Sequence, residues 1–532
     1  MATKITFFSE SRKKIMAGIG KLAETVRVTL GPKGKTVLFR RGTPIFSLDG
    51  VTVAKQIELE DPLESMGCDI IKDAAEKTDR EAGDGTTTAI LLSQIILEEG
   101  LKAIAAGIDT IKLKKGISEG LKIATDTIKK MSKPIKKRED IKSIGTISSR
   151  DPEIGGVIAD IMEQIGEDAI IAVEESNVIG LHKEIVEGLQ FEKGFISPYM
   201  MTNQVRGEAV LSDVHILVTT QMIKTNQEIY NILDKMTRTD SKTLLILAED
   251  VSGEALATVI INKMNGRLNM AAVQAPGFGD EKRNRLEDVA ILTGAKFASE
   301  EVGVRVDDIE IEDLGRADKV VIYRDQTVII GGKGKKSQIK KRIASIRREA
   351  QKEESDFRKE MLKKREAKLT GGVAIIKVGT LSEQENREKR YRIEDAVRST
   401  KSATEEGVVP GAGMCLIKCS KEIEKRMERE KDLAIRMGLN ILAEAIKEPA
   451  AQIIRNTGEK PDVILSKVEM GNPDFGYNSE IGEYCDLIKS GIIDPAKVVR
   501  CAVENATSVS SMFLTNEAVI TELKKEKNDK KS

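Results

Sequence analysis

The sequence predicts a multidomain α+β fold in which a mixed α/β domain is inserted into a helical one. Three observations carry this. A chain of 532 residues exceeds what one hydrophobic core supports, so roughly two to four domains are expected. Both ends carry apolar residues at helical spacing, whereas Gly188 to about Gly371 alternates strand-like and helix-like runs. Glycines stand at both crossings, Glu187-Gly188 and Gly371-Gly372, so Gly188, Gly371 and Gly372 are candidate hinges between a discontinuous domain and its insert.

Taken in order, Ile15, Met16, Ile19, Leu22, Val26 and Leu30 predict a helix over Ser9 to Leu30, delivering the chain into a Gly31-Pro32-Lys33-Gly34 loop. Short strands are expected at Thr36 to Phe39 and Pro44 to Ser47, with Asp49-Gly50 as a hairpin or turn signal. Helices follow over Leu63 to Arg80, Thr87 to Ala106 and Lys112 to Met131. Then come a Gly145 to Ser149 loop, a helix over Ile154 to Ile165 and a strand over Ala169 to Val173. In the middle third, strands are expected at 209–219, 243–247, 270–273, 319–323 and 327–330. Gly331-Gly332-Lys333-Gly334-Lys335 lacks the spacing of a phosphate loop and reads as a basic hairpin or surface turn. Ser337 to Leu369, where acids match bases, reads as a pair of solvated helices. A strand at Val373 to Val378 leads to a helix over Tyr391 to Glu406. Further helices occupy Met414 to Gly458, interrupted near Pro449, and Pro495 to Leu514. The Lys/Glu/Asn/Asp-rich tail from Leu523 reads as disordered.

Composition excludes several functions. With 85 basic and 85 acidic residues there is no net field to gather nucleic acid. No window reaches the length of apolar chain that spans a bilayer, and Met1 to Glu10 has no charged lead into an apolar core, so no membrane partner is expected and the chain should stay in the compartment where it is made. Five cysteines form no CxxC pair and there are only two histidines, which favours small buried thiols over a zinc site. The absence of Trp and an aromatic content of 3% argue against a stacking surface for bases or sugars.

The most informative stretch is Gly83-Asp84-Gly85-Thr86-Thr87-Thr88, followed at once by an apolar-patterned helix. Flanking glycines let backbone approach a bulky anion, and the threonines offer hydroxyls and free amides at a helix N-terminus. A carboxylate among groups that suit phosphate makes chemical sense if a divalent cation bridges them. The local reading is a Mg-nucleotide site; the alternative is a Gly-Asp turn followed by a threonine cap. Asp49 and Asp395 are further candidate acids, each equally readable alone as a turn or helix-surface aspartate.

Several segments in order then carry a resemblance: Thr29-Leu30-Gly31-Pro32-Lys33-Gly34, Asp49-Gly50-Val51-Thr52-Val53, Gly83 to Thr88, Gly145-Thr146-Ile147-Ser148, Ala275-Pro276-Gly277-Phe278-Gly279-Asp280, Arg392-Ile393-Glu394-Asp395-Ala396, Gly476-Tyr477-Asn478 and Gly491-Ile492-Ile493-Asp494-Pro495. Over nearly its whole length the chain resembles the group I chaperonins, the bacterial and organellar sixty-kilodalton folding machines. The resemblance implies a chaperonin fold. Its helical equatorial ATPase domain would comprise 1–130 and 406–523, a small α/β intermediate domain 131–187 and 374–405, and an inserted α/β apical domain 188–373, with 524–532 as a charged tail. It implies ATP, Mg2+ and K+ as cofactors and two stacked seven-membered rings. A small ring-shaped co-chaperonin and non-native proteins would be the partners. The bacterial cytoplasm is expected in preference to an organelle matrix.

Carried over position by position, Asp84 becomes the magnesium ligand, and Asp49 and Asp395 place or activate the attacking water. Gly85, Thr86, Thr87 and Thr88 hold phosphate oxygens, while Leu30, Gly31, Pro32, Gly411, Asn478 and Asp494 surround ribose and base. Phe195, Tyr199, Tyr230, Leu233, Leu256, Ile260 and Ile261 match the surface for clients and co-chaperonin; Leu256, Ile260 and Ile261 share one helical stripe, and Tyr230 and Leu233 another. The chain departs from the family at Leu48, where lysine is common, at Ala412, where glycine is usual, at Tyr230 for leucine, and in its charged tail. Two alternatives stay open: a diverged paralogue with weak or no ATPase acting as a holdase or specialised ring subunit, and a metabolic enzyme using the same acids on a small phosphorylated substrate.

Overall fold

Amphipathic helices dominate the chain up to Ile165. In order these are β1 (Thr3–Phe7), α1 (Phe8–Arg27), β2 (Val37–Arg41), β3 (Thr43–Ser47), α2 (Gly50–Gln56), α3 (Pro62–Ala82), α4 (Thr86–Ala105), α5 (Thr110–Met131), α6 (Arg138–Ser149) and α7 (Pro152–Ile165). The structure, a computed structural model, describes residues 3–41, 43–135, 137–166, 170–176, 178–204 and 207–522. Local chemistry sets the helix starts: Asp61 accepts the Leu63 and Glu64 amides with Pro62 at the first helical position, and Asp109 caps α5 through the Lys112 amide. Two expectations are corrected. Asp49-Gly50 is a helix start rather than a hairpin turn, because Asp49 accepts the Val51 and Thr52 amides and so nucleates α2. Gly145 to Ser149 is the last turn of α6 rather than a loop; Ser149 bonds back to the Gly145 carbonyl, and the chain turns only at Arg150, with φ 55°.

The middle of the chain forms β4 (Ile170–Glu175), β5 (Gly180–Val186), β6 (Gly188–Phe191), β7 (Ala209–Val218), β8 (Met222–Ile223), α8 (Asn226–Met236), β9 (Thr243–Ala248), β10 (Asp250–Val251), α9 (Gly253–Met264), β11 (Asn269–Gln274), α10 (Gly279–Thr293), β12 (Gly315–Ile322), β13 (Thr327–Gly332), α11 (Lys336–Lys352), α12 (Asp356–Gly371) and β14 (Val373–Gly379). Six strands make one sheet in the order β11-β9-β7-β12-β13-β6, parallel across β11, β9 and β7 and antiparallel beyond. The Leu244 to Leu247 run is buried without alternation because both faces of β9 are covered. β14 lies between β4 and β5 in a separate three-stranded sheet.

The glycine-lysine run at 331–335 is not a hairpin. Gly331 and Gly332 complete β13, and Lys335 precedes α11; a Cβ on Gly331 would stand 2.0 Å from the Asp318 carboxylate, so side chains are excluded there. Nor is the charge-dense helix pair simply solvated. Asp288, only 2% exposed on α10, receives Arg342 of α11 at 2.7 Å and Arg365 of α12 at 2.5 Å.

The return of the chain gives α13 (Glu383–Glu406), β15 (Val408–Pro410), α14 (Met414–Met427), α15 (Leu433–Ala445), α16 (Glu448–Arg455), α17 (Pro461–Met470), β16 (Phe475–Asn478), β17 (Glu483–Asp486), β18 (Ile493–Pro495), α18 (Ala496–Leu514) and β19 (Ala518–Glu522). The two ends of the described chain are tied together, since β1 pairs antiparallel with β19 from Thr3↔Glu522 to Phe7↔Ala518. α17 and the β16–β17 hairpin have no counterpart among the expected elements. The tail expected to be disordered, from Leu523, lies outside the described residues.

The chain divides into two units. The first contains Met1–Asp160, Asn177–Gly180 and Val378–Ser532; the second contains Ile161–Ser176 and Leu181–Lys377. The first unit is thus discontinuous in sequence, with Ile15, Ile19, Ile71, Ile90, Ile96, Leu113, Ile117, Leu442 and Val503 in its main core. Gly188, Gly371 and Gly372 all fall inside the second unit; Gly188 pairs with Ile330 in the sheet, and a Cβ on it would meet Val373 at 2.4 Å. Among the described residues no helix is long and apolar enough to cross a membrane.

Candidate functional site

The turn between α3 and α4 is the centre of the site. Gly83 (φ 75°) ends α3 and Gly85 (φ 83°) precedes α4, a left-handed pair open to glycine with little cost. Between them Asp84 accepts the Gly85 amide at 2.6 Å, the Ser148 hydroxyl at 3.2 Å and the Ser399 hydroxyl at 2.9 Å. No side chain caps α4, so the first amides, at Thr86, Thr87 and Thr88, have no helical acceptor and are available to an anion. Gly50 of α2 packs so closely that a Cβ there would meet the Thr87 hydroxyl at 2.1 Å.

Four more carboxyls, Asp49, Asp79, Asp395 and Asp494, share this field. Burial pushes Asp49 up, against the opposing hydrogen bonds from Thr52 and Val51, and the charge of Asp79 adds to the rise. Asp395 of α13 is pushed well up by burial; Arg398, at 2.8 Å, opposes this, while Asp49, Asp84 and Asp79 reinforce it. Its side chain is still 29% exposed and that of Arg398 47%, so both are crowded by protein yet reachable by solvent. Asp494 of β18 rises to about 7, first through burial and then through Asp84, although the Gly413 and Ala412 amides donate to it. These carboxyls outnumber the cations among them, and that excess is what a bound cation would offset.

The loop after α1 is tied to the same region. Asn456 Nδ2 donates to the carbonyls of Arg27 and Leu30, and Arg150 reaches the Thr29 carbonyl at 2.8 Å. Burial and the neighbouring Arg392 lower the Arg150 pKa, with Asp84 pulling the other way, so Arg150 links the Leu30-Gly31-Pro32 loop to the carboxyl cluster. Gly411 donates its amide to Ile492, and the next residue, Ala412, adopts φ 55°. Asn478 ends β16 with its side-chain oxygen on the Glu480 amide, and no hydrogen bond links it to the carboxyls.

Sequence reasoning missed Asp79, Arg150, Arg398, Ser399 and Ser402. The signal for part of this set is a polar stripe on α13, with Asp395, Arg398, Ser399 and Ser402 at i, i+3, i+4 and i+7. Each of the last three faces the end of α3: Arg398 pairs with Asp79 at 3.3 Å, Ser399 bonds Asp84, and Ser402 bonds the Ala82 carbonyl at 2.8 Å.

In the second unit, Tyr199 (68% exposed), Tyr230 (66%) and Ile261 (56%) are open to solvent and Ile260 is half-buried. Phe195 and Leu256 pack partly against the core, and Leu233 is buried in it, so the Tyr230–Leu233 stripe is split between solvent and core. α8 and α9 are neighbours, joined by the Thr258 hydroxyl and Asn226 at 2.5 Å.

Two comparisons bear on this arrangement. Structurally, the chain is similar to chaperonin gp146 from bacteriophage EL 2 (Pseudomonas aeruginosa), solved in the presence of ATP-BeFx, with a TM-score of 0.69 at 19% identity, over 98% of this chain and 99% of that one. The model of the TCP-1/cpn60 chaperonin family matches residues 22–524. With a match spanning nearly the whole chain, this protein belongs to the TCP-1/cpn60 chaperonin family.

Proposed function

We propose that the chain is an ATP-driven folding chaperonin of the group I kind, and that the Asp84 cluster is its ATPase site. The observation that carries the reading is the placement of Asp84, Asp49 and Asp395 in one electrostatic field beside the uncapped N-terminus of α4. Phosphate oxygens would lie against the amides and hydroxyls of Thr86, Thr87 and Thr88, where helix dipole and unsatisfied donors favour an anion. The loops at Leu30, Gly31 and Pro32 and at Gly411, with Asn478 and Asp494, would hold ribose and base.

The residues fit a divalent cation. Carboxyl charge is in excess, yet among the described residues no three acidic, His or Cys side chains converge as a ready metal cage. That suits Mg2+, which takes one or two protein carboxylates and completes its shell with phosphate and water. Asp84 is the proposed ligand, and the ion would offset phosphate charge. Asp49 and Asp395 would hold the attacking water. A carboxyl raised above its usual range is a better proton acceptor than one in water, and positioning adds to the effect.

Two stacked seven-membered rings, a ring-shaped co-chaperonin, K+ as second cation and a cytoplasmic setting complete the proposal, together with the equatorial, intermediate and apical domain division. The exposed Tyr199, Tyr230 and Ile261, with Ile260, would give clients an apolar surface; Phe195, Leu233 and Leu256 would support it from beneath.

Calorimetric titration with ATP, with and without Mg2+, tests the site. Asp84→Ala should abolish the Mg-dependent gain in affinity; an undiminished gain would overturn the assignment. The left-handed backbone at Ala412, beside Asp494, favours a second reading as a weak ATPase acting as a holdase, in which client binding persists while turnover stays near background.

A further inference from the structure

Arg398 is the residue that joins the proposed hydrolytic carboxyl to another element. One guanidinium nitrogen meets Asp395 on its own helix at 2.8 Å, and the other meets Asp79, in the last turns of α3, at 3.3 Å. The pair within α13 alone would be an ordinary i,i+3 contact of little weight. The arm to Asp79 changes its meaning, because a planar two-pronged cation then fixes the distance between two helices.

Around it the contact is built for close approach. Gly83 lies against Arg398, and a Cβ on Gly83 would stand 2.2 Å from Arg398 Cβ. Buried Ser399 and Ser402 add hydrogen bonds to Asp84 and Ala82 on the same face. Electrostatics supplies the need for a cation here. Asp49, Asp84 and Asp79 all act on Asp395 with like charge, and Arg398 is the opposing charge that acts most strongly on it. Without that cation the like charges of Asp49, Asp84 and Asp79 would act on Asp395 unopposed and disfavour its ionised form.

We propose that Arg398 is a positioning residue, a latch that bridges Asp79 to Asp395 and so holds α13 on the end of α3 with the Asp395 carboxyl directed into the site before nucleotide arrives. The part concerning hydrolysis rests on the ATPase reading above; the docking of α13 does not.

The test uses the full-length protein with Arg398→Ala, Arg398→Lys, Asp79→Asn and the Arg398→Ala/Asp79→Asn double variant. Amide hydrogen exchange over residues 393–406 is read without nucleotide, and kcat and KM are read with MgATP. Arg398→Ala and Asp79→Asn should each speed exchange by about two- to fivefold, the range for an ion pair open to solvent. Each should lower kcat by about tenfold, as expected for a misplaced rather than missing group, with KM within about threefold. The double variant should be no worse than Arg398→Ala, since both changes break one bridge. Lysine, a single point charge, should restore part of the protection and part of kcat. Unchanged exchange in Arg398→Ala, or additive losses in the double variant, would overturn the latch. If Arg398→Ala does not fold, Asp79→Asn against Arg398→Lys decides the same question. A wild-type protein without turnover would sink the ATPase reading, while exchange would still decide the docking.

Discussion

Asp395 and Asp494 differ in what their surroundings make of a carboxyl, and each difference can be measured. Asp395→Ala should leave ATP affinity nearly intact while lowering hydrolysis by about 100-fold, the scale of a lost acid-base group. A comparable loss of affinity in calorimetry would show that Asp395 binds rather than reacts. Asp494 titrates at about 7 in the folded protein against 3.8 for an unperturbed aspartate, so over that interval the folded state keeps a proton that the unfolded state releases. Its contribution to stability is therefore complete below about pH 4 and lost as pH rises to about 7. In urea unfolding the stability of the wild type relative to Asp494→Asn should fall across that window; a flat or rising difference would contradict the burial assigned to it. Ala412 makes a third case. A non-glycine residue at φ 55° carries strain of about 1 kcal/mol, partly offset by its lower unfolded-state entropy, so Ala412→Gly should raise the urea midpoint or leave it level. A clear fall would mean that the methyl packs better than its backbone suggests.

Helices were the most legible elements. α3, α4 and α5 fall within two residues of their expected bounds because long apolar stripes leave little freedom in assignment. Short elements were less legible. Asp-Gly serves turns and helix caps alike, and the capping contact to Thr52 separates them only in three dimensions. A serine-rich stretch reads as a loop until its helix is seen to bring Ser148 to Asp84. The candidate site divides along the same line. Glycine spacing and the threonine run exposed Asp84 locally, whereas Asp79 and Arg398 are far apart in sequence and each looks like an ordinary helix-surface charge.

The same limit hid the clasp in the second unit, where acid-base balance along α11 and α12 suggested two solvated helices. Asp288→Ala would remove the shared partner of Arg342 and Arg365 and should cost about 3–5 kcal/mol, as for other broken buried pairs. Hydrogen exchange in α11 and α12 should rise with it. Unchanged exchange there would mean that the helices are held by Ile339, Ile346, Leu362 and Leu369 alone.

At the scale of the whole molecule, the discontinuous first unit and the inserted second unit follow the alternation of texture along the chain, and the family match spans both. The insertion was legible because helical ends enclose a mixed centre. The exact crossings were not, since Gly188 lies in the six-stranded sheet and Gly371 and Gly372 lie at the end of α12, all inside the second unit. Exposure was equally hidden, because an apolar stripe reads the same in a core as on a surface. Only packing separates Leu233 from Tyr230 three residues earlier. The function proposed for these parts together is ATP hydrolysis at Asp84 in a ring.

Steady-state ATP turnover in a sizing-column fraction whose mass is read at the same time by light scattering tests this most directly. Mg-dependent turnover is expected in a particle of about fourteen subunits, the mass of two stacked seven-membered rings, altered when a ring-shaped co-chaperonin is added. A large particle without turnover, or turnover confined to a monomer or dimer, would contradict it.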